Sequence, residues 1–173
     1  MESNQYRVLE GNISVPYRWT PGDIYGRFLG GLKEKKILGF RCPECKKVYA
    51  PATDICVACY YGFKPEDQVE LSDSGVVKSF TVVRANLWPP KPDPEVVSKA
   101  IAPTKLVDHP LLWPPDPPYA LVAVRIEGAD TDFIHMVKGE KNLGKLKVGS
   151  KVKAVWGEQR EGYLLDLDHF EVV

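Results

Sequence analysis

The sequence has no excess of either charge, no apolar run of membrane-spanning length, and few histidines or cysteines. Its 23 basic residues match its 23 acidic ones. That balance argues against a dedicated nucleic-acid binder, which needs a basic surface to neutralise phosphates. No apolar stretch approaches the roughly 20 residues of a spanning helix, so no membrane partner is expected. Met1 to Glu10 is polar, with no apolar core of the kind a secretory signal carries, so a soluble, cytoplasmic chain is expected. The 173 residues allow one ordinary domain or two small ones. A hydrophobic fraction of 44% is enough for a core.

What is present is more telling. The only four cysteines fall in two equal steps, Cys42-Pro43-Glu44-Cys45 and Cys56-Val57-Ala58-Cys59. Two Cys-x-x-Cys hooks at this distance can close four thiolates around one ion in a tetrahedron. Disulfides, a redox dithiol and iron in a rubredoxin-like site are the competing readings. The cytoplasmic expectation and the doubled hook favour structural zinc. Such a site is closed by protein ligands, so it holds a fold together and does not activate water. Knuckles of this kind often place glycine just after the second cysteine, where the chain turns tightly. Here Lys46 and Tyr60 stand there.

Around the hooks the sequence divides. Thr20 as N-cap, Pro21 at the first helical position and Asp23 at the third predict a helix start. Ile24, Phe28, Leu29 and Leu32 share one face at helical spacing. Lys33, Lys35 and Lys36 read as a dipole-matched helix end or as a phosphate-facing patch. Leu38–Arg41 and Val48–Ala50 predict short strands framing the first hook. From Val69 the pattern has period two. Strands are expected at Gly75–Ala85, Tyr119–Glu127, Asp132–Val137, Lys151–Trp156 and Tyr163–Val172, with a short helix or turn at Leu143–Gly149. Five strands interrupted between the third and fourth outline an OB-type barrel, with a small open sheet as the rival.

Ten of the 15 prolines lie between Pro89 and Pro118, in an insertion over 86–118. Leu87-Trp88-Pro89-Pro90 is echoed there by Leu112-Trp113-Pro114-Pro115. A strap of this kind either pins onto its own barrel or docks on another chain or ligand. His109, His135 and His169 are scattered singly, and a lone histidine is more often structural than catalytic. Asp166 and Asp168 look like a carboxylate pair, but alternate strand residues commonly just meet solvent. With every cysteine assigned to metal, no nucleophile–base set is visible.

Helix, ribbon and barrel occur in that order. The helix and ribbon segments are Ile24–Leu32 (IYGRFLGGL) and Leu38–Cys45 (LGFRCPEC). The barrel segments are Ser74–Val83 (SGVVKSFTVV), Pro118–Val124 (PYALVAV) and Leu146–Val152 (LKVGSKV). This arrangement resembles a zinc-ribbon plus OB-fold family, long labelled as of unknown function, whose members accompany thiolases and related acyl-CoA enzymes. The resemblance covers the chain from about residue 17, less the proline-rich insertion, which departs from the family.

The resemblance implies a mainly β chain with three parts. These are an N-terminal arm and helix (1–38), a rubredoxin-like zinc ribbon (39–68) and a five-stranded OB-fold barrel (69–173). It implies structural zinc on Cys42, Cys45, Cys56 and Cys59. It also implies a non-catalytic accessory subunit that binds a thiolase-fold catalytic partner in a hetero-oligomer and helps position a coenzyme A thioester. An aromatic 3-oxoacyl-CoA such as benzoylsuccinyl-CoA is one such substrate. Phe28, Trp88 and Trp113 are the partner-facing candidates. Lys138, Lys141 and Lys145 are candidates for the coenzyme A phosphates, within a cluster that also holds Lys147, Lys151 and Lys153. A solvated basic edge that discourages strand pairing is the simpler reading of that cluster. The alternative function is a ribbon-plus-barrel module for single-stranded nucleic acid.

Overall fold

The structure, a computed structural model, describes residues 20–85 and 115–173. The N-terminal arm, Trp88, Trp113, His109 and the Leu-Trp-Pro-Pro repeat lie outside the described residues.

The chain opens with helix α1 (Asp23–Lys33). Its N-cap is Gly22 at φ 79°, with no side-chain cap, rather than Thr20. Asp23 therefore takes the first helical position, still within the positive first turn, and pairs with Arg27 at 3.1 Å. Ile24, Phe28, Gly31 and Leu32 form the buried stripe. The helix stops in a Schellman turn, in which the Lys36 N–H donates to the Gly31 carbonyl and the Lys35 N–H to that of Leu32. Lys35 takes the left-handed position at φ 61° where glycine is usual. Lys36 reaches Glu70 at 3.0 Å. The lysine-rich end is thus a helix terminus stitched to its neighbours.

Next comes a three-stranded antiparallel sheet in the order β2-β1-β3, from β1 (Ile37–Arg41), β2 (Val48–Tyr49) and β3 (Gln68–Leu71). The period-two pattern that begins at Val69 therefore starts in the ribbon sheet, where Val69 pairs with Gly39. Gly39 is required here, because a Cβ would stand 3.0 Å from the Tyr49 carbonyl oxygen and 2.8 Å from a Leu71 methyl.

The barrel is closed, in the order β4-β5-β6-β8-β7 with β7 returning to β4. Its strands are β4 (Ser74–Val83), β5 (Tyr119–Ile126), β6 (Asp132–Lys138), β7 (Lys151–Trp156) and β8 (Leu167–Val172). Helix α2 (Glu140–Lys145) separates β6 from β7. Closure by one parallel pairing, Val137 with Phe170, excludes the open-sheet rival and leaves no free edge at that point. The last strand is shorter than expected, since Leu164–Asp166 form a 3-10 turn before β8.

Ribbon, helix and barrel share one core. Phe28 of α1 meets Phe133 of β6 edge-on at 5.9 Å, and Phe133 meets Phe170 of β8 at 6.2 Å. The β5–β6 turn is clamped onto the ribbon. Asp130 exchanges two backbone hydrogen bonds with Val48, accepting through its carboxylate and donating through its N–H, both at 2.8 Å. The Thr131 hydroxyl does the same for Ala50, at 2.9 Å each way. Among the described residues no helix is long and apolar enough to cross a membrane.

Candidate metal centre

The two hooks fold alike. In the first, the Cys42 N–H donates to the Lys47 carbonyl and the Lys46 N–H returns to that of Cys42. In the second, Cys56 and Tyr61 pair likewise, and the Tyr60 N–H returns to Cys56. Each turn needs a left-handed residue after its second cysteine, and Lys46 (φ 64°) and Tyr60 (φ 61°) supply it. A side chain there strains the backbone, by about 1–2 kcal/mol. The missing glycines are thus a local cost and not a different turn.

The knuckles bring the four Sγ atoms within 4.8 Å of one another. Cys42 and Cys59 are 3.4 Å apart, Cys45 and Cys56 3.5 Å. A tetrahedron with metal–sulfur bonds of about 2.3 Å has edges of about 3.8 Å, so the cluster has the size of a four-thiolate metal site. All four cysteines are free thiols.

The electrostatics point the same way. Burial raises the Cys56 thiol, but the Tyr49 hydroxyl at 3.3 Å and the backbone amides of Ala58 and Cys59 outweigh it and hold it down at about 6. Cys56 first, then burial, push the Tyr49 phenol up to about 12, so at neutral pH it remains a donor to the thiolate. Cys59 goes the other way. The Tyr61 amide favours its thiolate, but Cys42, burial and the remaining thiols outweigh that and push it up. One thiolate is stabilised by the fold and further ones repel, which is the situation a divalent cation relieves. The four cysteines can therefore hold a metal ion such as zinc. Behind them Phe63 stacks edge-on against Tyr49 (5.6 Å), Phe40 (5.9 Å) and Tyr61 (6.0 Å), a small core that also buries Cys42 and Cys56.

The other candidates fare differently. Phe28 is fully buried between helix and barrel, so it offers no surface to a partner. It lies on the apolar helix face that its spacing predicts, and that face is the one that packs. Lys138 is committed to Asp168 at 2.7 Å, whereas Lys141 and Lys145 are exposed on α2, about one turn apart. Asp166 and Asp168 do not form a pair. Asp166 is buried and accepts from the N–H groups of Glu161, Gly162 and Tyr163, closing the turn before β8. Asp168 bridges Lys138 and His169 Nδ1, each at 2.7 Å. Burial opposes its charge, but those two partners prevail and hold its carboxyl below the usual value.

His135 is 4% exposed, and neither ring nitrogen has a hydrogen-bond partner among the described residues. Burial pushes its imidazole down to about 4. It packs edge-on to Phe133 (5.5 Å) and Phe170 (6.0 Å) as a neutral ring. The Tyr49 contact to sulfur has no signature in local spacing, because it depends on how the second hook packs against β2. A tyrosine within a few residues of a cysteine hook was the only available clue.

No protein-family profile and no curated protein matches this chain. Solved structures do. One, described as an Ltp2-ChsH2(DUF35) aldolase, is 19% identical with a TM-score of 0.53, over 84% of this chain and 92% of that one. Another, a DUF35-family protein of unknown function from Sulfolobus solfataricus, is 21% identical with a TM-score of 0.48, over 75% of each chain. At these identities the likeness is one of fold.

Proposed function

We propose that this chain is a non-catalytic accessory subunit of a thiolase or acyltransferase complex, held together by structural zinc. On this reading it binds a thiolase-fold catalytic chain and helps position a coenzyme A thioester. The observation that carries the proposal is the use of the cysteines. Thiolase-type chemistry needs a cysteine nucleophile with a nearby base. All four cysteines of this chain gather in one closed cluster. Among the described residues, the histidines do not replace them. His135 is buried and neutral, and His169 is held by Asp168 with Glu171 at 3.7 Å from its Nε2. The nucleophile then belongs to another polypeptide. The likeness to a chain described together with a second protein, Ltp2, supports such a pairing. Substrates such as benzoylsuccinyl-CoA come from the family resemblance alone.

The direct test is thioester cleavage by the purified, metal-loaded chain. No turnover of 3-oxoacyl-CoA esters is expected from it alone, and one zinc per chain by metal analysis. Turnover that survives purification and depends on a cysteine would overturn the assignment. Visible charge-transfer absorption with bound iron would replace zinc.

A further inference from the structure

The outer face of the barrel carries a cationic cleft that none of the four cysteines lines, and it arises from strand register. Val76 of β4 pairs with Arg125 of β5 on one side and with Lys151 of β7 on the other. Directly opposed residues share a face, so Lys151, Val76 and Arg125 stand in one row across three strands. A bulge between Val77 and Ser79 sets Lys78 out of register, and Lys78 lines the same cleft. The cleft measures about 630 Å³, within the range of small-molecule sites. Gly75, Ile126 and Val152 lie in its floor. A Cβ at Gly75 would stand 2.6 Å from the Arg125 carbonyl oxygen, so glycine is what lets β4 lie this close to β5.

Three cations within one small cleft repel one another, and like charges across strands destabilise a sheet. The neighbouring acids relieve only part of this. Asp132 takes Arg125 at 2.6 Å, and Asp73 takes the adjacent Lys153 at 3.5 Å. Lys78 and Lys151 have no ion-pair partner among the described residues. Glu127 is the one acidic side chain lining the cleft, and Val173, whose N–H donates to the Lys151 carbonyl at 3.0 Å, also lines it.

We infer that this cleft binds a small phosphorylated molecule, with Lys78 and Lys151 as the phosphate contacts and Val76 beneath its apolar part. The choice of ligand class rests on the accessory-subunit reading, in which a nucleotide-bearing thioester is handled; the site itself does not. A nucleic-acid strand fits less well, because no aromatic side chain lines the cleft for stacking. Lys151 belongs to the lysine cluster read from the sequence, whereas Lys138 of that cluster is already spent on Asp168.

The test is titration of the full metal-loaded chain with ADP, pyrophosphate and a single-stranded oligonucleotide. ADP is expected to bind, pyrophosphate to compete with it, and salt to weaken both. Lys78→Gln and Lys151→Gln should each weaken ADP by about tenfold, as loss of one charge-assisted contact does. Lys141→Gln should leave binding unchanged. Both substitutions sit on exposed side chains, and an unchanged melting temperature confirms the fold. No ADP binding, binding indifferent to both variants, or preference for the oligonucleotide would each overturn the site. Loss of the site would leave the accessory assignment standing, because that is judged by the partner and not by the ligand.

Discussion

Tyr60 shows how a single residue can carry strain without changing a fold. It holds a left-handed turn at φ 61° with its ring 83% exposed, so its side chain contributes little packing. Tyr60→Gly is expected to stabilise the metal-loaded chain by up to about 1 kcal/mol, the relief of strain less the entropy of a freer unfolded chain. A clear loss of melting temperature would mean the ring is needed by the fold. His135 sets a second expectation. Its folded value, about 4, lies below the ordinary 6.5, so the unfolded chain takes up the proton first as pH falls. The stability this confers is complete above 6.5 and is lost as pH falls towards 4, by about 3 kcal/mol. Acid also protonates thiolates and releases metal, so the informative quantity is the difference between native and His135→Leu chains in urea unfolding at pH 7 and pH 4. The variant's profile should be flatter by that amount; parallel profiles would contradict the burial argument. The cysteines were legible at this scale because ligand spacing is local. The histidine's burial was not, because it depends on Phe170 some 35 positions on.

At the scale of elements, the ribbon depends on its ion and the helix on its fit. The ribbon sheet is only three short strands, too little apolar burial to stand without metal. Cys56→Ser, or a strong chelator, should release the ion, expose the remaining thiols to alkylation and remove hydrogen-exchange protection in β1 and β2. The barrel strands should keep theirs, since their ladder closes on itself. Equal loss in both would show that the clamp of Asp130 and Thr131 on Val48 and Ala50 makes them one cooperative unit. Phe28→Ala should cost about 3–5 kcal/mol in chemical denaturation, the range for a truncated core phenylalanine. A cost under about 1 kcal/mol would restore Phe28 as a surface residue. Strand positions were legible from alternation, and Val152 and Ala154 point inward as the pattern requires. The third ribbon strand was missed because Val69 alternates just as a barrel strand does. Its membership is decided by pairing with Gly39, a contact 30 residues away. The helix starts two residues later than the capping pattern predicts, because Gly22 takes the role a threonine cap could have filled.

Across the whole molecule, composition and order carried most of the reading. Charge balance, four cysteines and five alternating strands were enough to expect a ribbon joined to a closed barrel, and the strand order bears this out. What composition could not supply is which lysines lie together. Within the lysine-rich stretch from 138 to 153, Lys138 pairs with Asp168, whereas Lys151 lines one cleft with Lys78, 73 positions away. The central claim, that the chain works as one half of a complex, is tested most directly by mild affinity purification from its native host, with mass spectrometry of what accompanies it. The account predicts a thiolase-fold protein in near-equal amount, released together with the tagged chain. Recovery of the chain alone, or bound to RNA or DNA, would contradict it.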